Sequence, residues 1–307
     1  MTGTTGVPPV VVLAGGTGGA KLARGMLDVA GDDLVVIANT ADDVEVYESH
    51  VSPDPDLVTF WLADRIDDRG WGLAGDTFHV MDGLRELGED VWFNLGDRDL
   101  ALCLRRARRL REGATLTVAL AEAAAALGVR ARVLPMADQP VRTRIFARRR
   151  WVAFQEFMIR EQAQGPVDGV EFEGIHAASP PAEALEAIAS ARAIVIGPSN
   201  PVISIRPILD VPGMADALRA SAAPVVAVSP IVGGGVVKGP TEPFLAWAGL
   251  SLDAEGIAAA YRGLLDGLVT DEPFDRLRAL RTDTMMGDAQ ARRRVAAETL
   301  RFAESLS

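Results

Sequence analysis

An α/β fold, with a mainly parallel sheet and helices on both of its faces, follows from three features of the sequence. Short β-branched runs recur along the chain, each bounded by glycine, proline or polar residues. Segments with apolar residues at helical spacing lie between several of them. Strands alternating with helices pair side by side in parallel and must be covered on both faces. The third feature is size: 307 residues, 49% of them apolar and 24% charged, suffice to bury a substantial core.

The first run, Val10–Leu13, stands between a Pro-Pro and a Gly-Gly pair and reads as a buried strand. From about Gly19 to Val29, Leu22, Met26 and Val29 fall on one helical face. Leu34–Ala38 repeats the plan, ending in the polar loop "NTADD". Further strands are expected at "VWFNL" (Val91–Leu95), "RVLPM", "AIVIG" and "PVVAVSP", and helices over Thr77–Leu87, Asp99–Arg111, Leu116–Leu127 and Ala182–Ser190. "PVRTRIFARRRWVAFQEFMIR" departs from this alternation and reads as a β-hairpin followed by a helix. It implies a smaller α+β subdomain, at about residues 136–180, inserted in a single domain spanning 1–307. From Asp253 onward the chain reads as mostly helical.

A formal net charge of −11 argues against nucleic acid or an anionic membrane as the main partner, since both select excess Lys and Arg. The single cysteine, Cys103, allows neither an internal disulfide nor a cysteine-based metal site; its helical spacing makes it a buried thiol. The start, "MTGTTGVPPVVVLAGG", lacks the basic residues of a secretory signal. No stretch approaches the ~18 apolar residues of a membrane helix. A cytoplasmic protein is expected.

In an open parallel sheet, ligands bind beyond the carboxyl ends of the strands. The loops expected there are "GGTGGAK", "NTADD", "GDRD", "GPSNP" and "SPIVGGG", all small, polar or glycine-rich. In the first, Gly15, Gly16, Thr17, Gly18 and Gly19 can bring backbone N–H groups close to a phosphate at a helix N-terminus, with Lys21 nearby. The spacing fits neither a Walker A loop, because Ala20 and Leu22 flank Lys21, nor a dinucleotide fingerprint. A tight strand-to-helix turn is the plainer alternative.

"NTADD" places Asn39 before two adjacent carboxylates, Asp42 and Asp43. They suit Mg²⁺, which takes one or two carboxylates and completes its shell with water and substrate phosphates; a solvated helix start is the plainer reading. Asp54 and Asp56 in "SPDPD" fall in the first turn of a helix with Ser52 as N-cap, where the dipole favours acids. In "GDRD", Gly96 and Asp97 precede Arg98, which can meet a phosphate or carboxylate. In "GPSNP", Pro198, Ser199 and Asn200 offer polar groups held rigid by two prolines, suited to a base edge or diphosphate. His50, His79 and His176 are scattered, without zinc-site spacing.

The motifs "GGTGGAKLARG", "NTADD", "SPDPD", "GWGLAGDTF", "WFNLGDRDLA", "LPMADQPVRT", "FQEF", "IGPSNPVISIRPIL" and "VAVSPIVGG…KGP" occur in this order. From Val10 to the C-terminal helices the chain closely resembles the 2-phospho-L-lactate transferase family. The resemblance implies a Rossmann-like fold with an inserted subdomain, a homodimer, and a Mg²⁺-dependent step in making the deazaflavin coenzyme F420. There, a terminal ribityl hydroxyl of the deazaflavin Fo attacks a guanosine diphosphate diester. A phosphate bearing a three-carbon acid is transferred, as 2-phospholactate or phosphoenolpyruvate, and GMP leaves.

On that footing Asp42 or Asp43 is expected to hold Mg²⁺ and help deprotonate the hydroxyl. Asp54, Asp56, Trp61 and Thr77 are assigned to Fo, with Trp71 and Phe78 as further candidates for the ring. Arg98 is assigned to the acid or the transferred phosphate. The glycine loop with Lys21, Asn39, Gly96, Asp97 and Pro198–Asn200 is assigned to the nucleotide and its phosphates. The competing resemblance is to gluconeogenesis-factor regulators, which bind nucleotide sugars without turnover; "GDTF", "GDRD" and "FQEF" favour the transferase.

Overall fold

Among the described residues, fourteen short strands, β1 to β14, organise the chain. Seven form one parallel sheet: β1 (Val10–Ala14), β2 (Leu34–Ala38), β5 (Arg132–Pro135), β9 (Ala193–Ile196), β10 (Val225–Val228), β13 (Gly267–Thr270) and β14 (Arg278–Arg281). Two hairpins, β3 (Val44–Val46) with β4 (Ser49–Val51) and β11 (Ile231–Val232) with β12 (Gly235–Val236), stand apart from it. So does an antiparallel sheet of β6 (Arg142–Ala147), β7 (Arg150–Ala153) and β8 (Gly169–Glu173). The structure is a computed structural model describing residues 7–237 and 239–307. Residues 1–6, the start of the stretch read for a targeting signal, and Lys238 of the "KGP" motif lie outside the described residues.

The parallel sheet runs in the order β14-β13-β10-β9-β1-β2-β5, the expected α/β architecture. Val11 pairs with Val35 on one side and Ile194 on the other. β1, β2, β9 and β10 are buried along their whole length, which is why they read as unbroken apolar runs. Val11, Leu13, Ile37 and Ile194 face one core, under helices Ala182–Ala189, Met214–Ala220 and Ala254–Ala260. Val10, Val12, Val36 and Val195 face the other, packed by Leu22 and Met26 of helix Gly16–Ala30, Val58 of Pro53–Leu62, and Val295 of Ala289–Glu304. Strand order reverses at β1 and β9, where such sheets open a crevice.

Within residues 136–180, the antiparallel sheet and helix Phe154–Ile159 pack Ile145 and Phe157 into a small core shared with Val202, Ile203, Phe244 and Leu245. Two expectations need correction. Val91–Leu95 is no strand. It is an irregular segment without ladder partners, its Phe93 N–H bonded instead to Tyr47 Oη at 3.1 Å. Nor is the end mostly helical: β13 and β14 complete the sheet between the last two helices. Among the described residues, no helix is long and apolar enough to cross a membrane. Cys103 is buried and free, as expected.

Candidate functional site

At the β1/β9 reversal the "GGTGGAK" and "GPSNP" turns interlock. Gly15 caps helix Gly16–Ala30, so the glycines form the helix's first turn rather than a loop before it. The Gly15 N–H donates to Ser199 Oγ at 3.2 Å. A Cβ on Gly18 would stand 2.0 Å from the Pro198 carbonyl oxygen, and one on Gly19 2.6 Å from Ser199 Oγ. Only glycine permits this approach. Asn200 Oδ1 caps the next turn, accepting from the Val202 and Ile203 N–H groups at 2.9 and 3.2 Å. Ser199 and Asn200 therefore hold the two turns in place.

A carboxylate meets the helix N-terminus where a phosphate was expected. Asp54 Oδ1 accepts the Gly16 N–H at 2.7 Å, and Asp54 Oδ2 accepts from Asn39 Nδ2 at 2.9 Å. Asn39 Oδ1 in turn accepts the Ala41 N–H, which shapes the "NTADD" turn. Asp42 Oδ1 accepts from Thr143 Oγ1 at 3.1 Å and the Asp42 carbonyl from Gln155 Nε2 at 3.0 Å, so β6 and helix Phe154–Ile159 position Asp42. Asp43 is held by Ser52 Oγ at 2.7 Å and His50 Nε2 at 2.9 Å.

Burial pushes Asp42 well above the usual carboxylate range, and the nearby charges of Asp54 and Asp43 add to it. Burial likewise lifts Asp54 to about 6, against the hydrogen bonds from Asn39 and Gly16. Arg106, itself buried, clamps both oxygens of Asp56. Burial would lower the His50 pKa, but its bonds to Asp43 and Glu45 outweigh that and raise it to about 8.

These groups surround a cavity of about 770 Å³. Gly15, Gly16, Thr17, Gly18 and Lys21 form its floor with Pro198, Ser199 and Asn200. Four carboxylates reach it, Asp42, Asp54, Asp56 and Asp99, against one described cation, Lys21. Trp71, Trp92 and Phe93 form an aromatic side, and Phe154, Met158 and Met285 further apolar wall. Ser229 and Thr284 bring in the turns after β10 and β14.

The 2-phospho-L-lactate transferase CofD family model matches residues 10–298. The chain belongs to that family. Among CofD-type relatives, the "2-phospho-L-lactate transferase" of Methanosarcina mazei is 37% identical, the match covering 94% of this chain and 98% of that protein. The "phosphoenolpyruvate transferase" of Streptomyces coelicolor is 38% identical over 97% and 98% of the two chains. A solved structure of a UPF0052 family member from Bacillus halodurans shares the fold, with a TM-score of 0.63 at 18% identity over 95% of this chain and 99% of that one.

Several residues assigned from the sequence do not reach the cavity of this CofD-family chain. Asp97 accepts the Thr77 hydroxyl at 2.6 Å and the His79 and Val80 N–H groups, so Asp97, steadied by Thr77, satisfies the first turn of helix His79–Glu86. Gly96 is required because a Cβ there would stand 2.1 Å from Asp76 Oδ2, the carboxylate that receives the Arg98 and Asp99 N–H groups. Arg98 is exposed, outside the cavity lining. Trp61 is buried beside Lys21 and Arg292, and Phe78 packs in a separate cluster with Met81. Asp43, Asn39 and Gly19 stand behind the lining residues. Sequence reasoning missed Thr143, Gln155 and His50 as partners of the two adjacent aspartates. Its usable signal was "VEVYESHV", an alternating hairpin that folds His50 back toward Asp43.

Proposed function

We propose that this chain transfers the phosphate of a guanosine diphosphate-activated three-carbon acid to the terminal ribityl hydroxyl of Fo, releasing GMP, a step toward coenzyme F420. The observation that carries the reading is the position of Asp42 and Asp54: buried carboxylates with raised pKa values, beside a glycine turn and a lysine, in one cavity. A phosphate at the Thr17–Gly18 turn would meet the Asp54 charge unless a cation lay between them. The acceptor ring has an apolar place against Trp71, Trp92 and Phe93. The names of the curated relatives support the transferred group as phospholactate or phosphoenolpyruvate.

Magnesium fits these residues: hard carboxylate oxygens, a neighbouring space for phosphate and water, and, among the described residues, a single lysine lining the cavity against four acids. Asp42 and Asp54 would hold it; when bound it would screen the diphosphate and stabilise departing GMP. Asp43, which does not line the cavity, sets the turn from behind. Lys21 and the first turn of helix Gly16–Ala30 orient the transferred phosphate. Asp42, lining the cavity, is the carboxylate that receives the proton of the attacking hydroxyl. Positioning and charge neutralisation suffice for such a transfer, and no covalent nucleophile is invoked. A cytoplasmic homodimer completes the proposal.

The test is to incubate the protein with Fo, Mg²⁺ and lactyl or enolpyruvyl guanosine diphosphate, following GMP and the Fo phosphodiester. GMP appearing in step with product is expected. Nucleotide binding without product from either donor would favour a regulator, and pyrophosphate release from GTP a nucleotidyltransferase.

A further inference from the structure

We propose that Asp99 selects the acceptor by hydrogen-bonding a non-reacting hydroxyl of its polyol chain; the inference rests on the transfer to Fo proposed above. Asp99 lies in the first turn of helix Asp97–Arg111 and lines the cavity beside the Trp92–Leu95 segment. Among the described residues, its carboxylate has one hydrogen-bond partner, Cys103 Sγ at 3.7 Å, a weak donor. The natural counterion is already committed. Arg106 grips both oxygens of Asp56 with its two terminal nitrogens and also donates to the His50 carbonyl at 3.0 Å, and it makes no hydrogen bond to Asp99.

Asp56, Asp99 and Cys103 each place a ligand-type atom within 4.8 Å of the others. They do not form a cation site, because Arg106 already neutralises Asp56 and burial keeps Cys103 a thiol. Asp99 is thus left with hydrogen-bonding capacity on the cavity side. Burial and the Asp56 charge push it up to about 7, so near neutrality it can donate as well as accept. An anionic group there would face Asp54 and Asp42, while Lys21 belongs to the glycine turn across the floor. A cationic group would meet the Arg106 charge, which already acts on Asp99. An uncharged hydroxyl meets neither objection. With the aromatic side adjacent, one wall takes a flat ring and its polyol together.

The test measures binding of Fo by its own fluorescence, without turnover, to wild type, Asp99→Asn and Asp99→Leu, each checked for native melting behaviour and unchanged GDP affinity. Asp99→Asn keeps donor and acceptor and should stay within about threefold of wild type. Asp99→Leu should weaken Fo binding about tenfold, as expected for one hydrogen bond lost. Analogues of Fo lacking one internal hydroxyl complete a cycle: for one of them the Asp99→Leu penalty should vanish. Equal Fo affinity for wild type and Asp99→Leu overturns the proposal, as does an identical penalty for every analogue. Fo bound by wild type but never converted overturns the transfer and leaves acceptor selection standing; no Fo binding overturns both.

Discussion

His50 Nε2 lies 2.9 Å from Asp43 Oδ2, and the other ring nitrogen lies 3.3 Å from Glu45 Oε1. An imidazolium between two carboxylates is held in its charged form, and His50 accordingly rises from 6.5 to about 8. A raised folded-state pKa means stability that is fully present below about 6.5 and lost as pH rises through about 8. The shift is worth about 2 kcal/mol. Urea unfolding of wild type across pH 6 to 9 should show that decline, and His50→Gln should remove it. Parallel pH profiles for the two proteins would mean that the pair contributes nothing.

Gly18 and Gly83 make an opposed pair of substitutions. A methyl on Gly18 meets the Pro198 carbonyl oxygen at 2.0 Å, and backbone cannot yield as a flexible side chain can. Gly18→Ala should cost more than about 2 kcal/mol and loosen nucleotide binding, because the two turns must separate. Gly83, inside helix His79–Glu86, has nothing within 4 Å of the position a methyl would take. Gly83→Ala should stabilise by up to about 1 kcal/mol. Thermal melts of both variants check the contrast.

The central strands and glycine turns were legible because burial on both faces leaves unbroken apolar runs that glycine and proline punctuate. β14 was not, since Arg278–Arg281 is a largely exposed edge strand that takes its structure from β13 rather than from its own composition. "VWFNL" misled for the opposite reason: its apolar residues fill the cavity wall, a task that needs no ladder. Asp42 and Asp54 were visible as acids near strand ends. Arg98 and Asp97 were not separable from them, because helix capping draws on the same residue types as ligand binding. The roles of Thr143 and Gln155 depend on how β6 and helix Phe154–Ile159 dock, which local pattern does not encode.

Arg106 and Asp56 form a buried pair whose halves should fail separately. Arg106→Met leaves the Asp56 carboxylate buried without its counterion and should cost about 3–5 kcal/mol. Adding Asp56→Leu removes the stranded charge, and the double variant should recover much of that loss. Chemical denaturation of the four proteins gives the coupling directly. Additive losses would show that the two side chains act independently.

Asp42 separates stability from function. Its raised pKa means that the ionised form is disfavoured in the folded chain, so the penalty is present above the folded pKa and relieved as pH falls through it. Asparagine keeps the shape and can still bond Thr143, but carries no charge. Asp42→Asn should therefore melt no lower than wild type at pH 7.5, and higher if the penalty is large, while transfer falls by orders of magnitude. Mg²⁺ distinguishes the charge effect from a loss of shape. It should raise the wild-type melting temperature by mass action on the folded state and leave Asp42→Asn unmoved. If the variant responds to Mg²⁺ as wild type does, Asp42 is not a ligand, and the cation's place at the glycine turn must be sought with Asp54 alone.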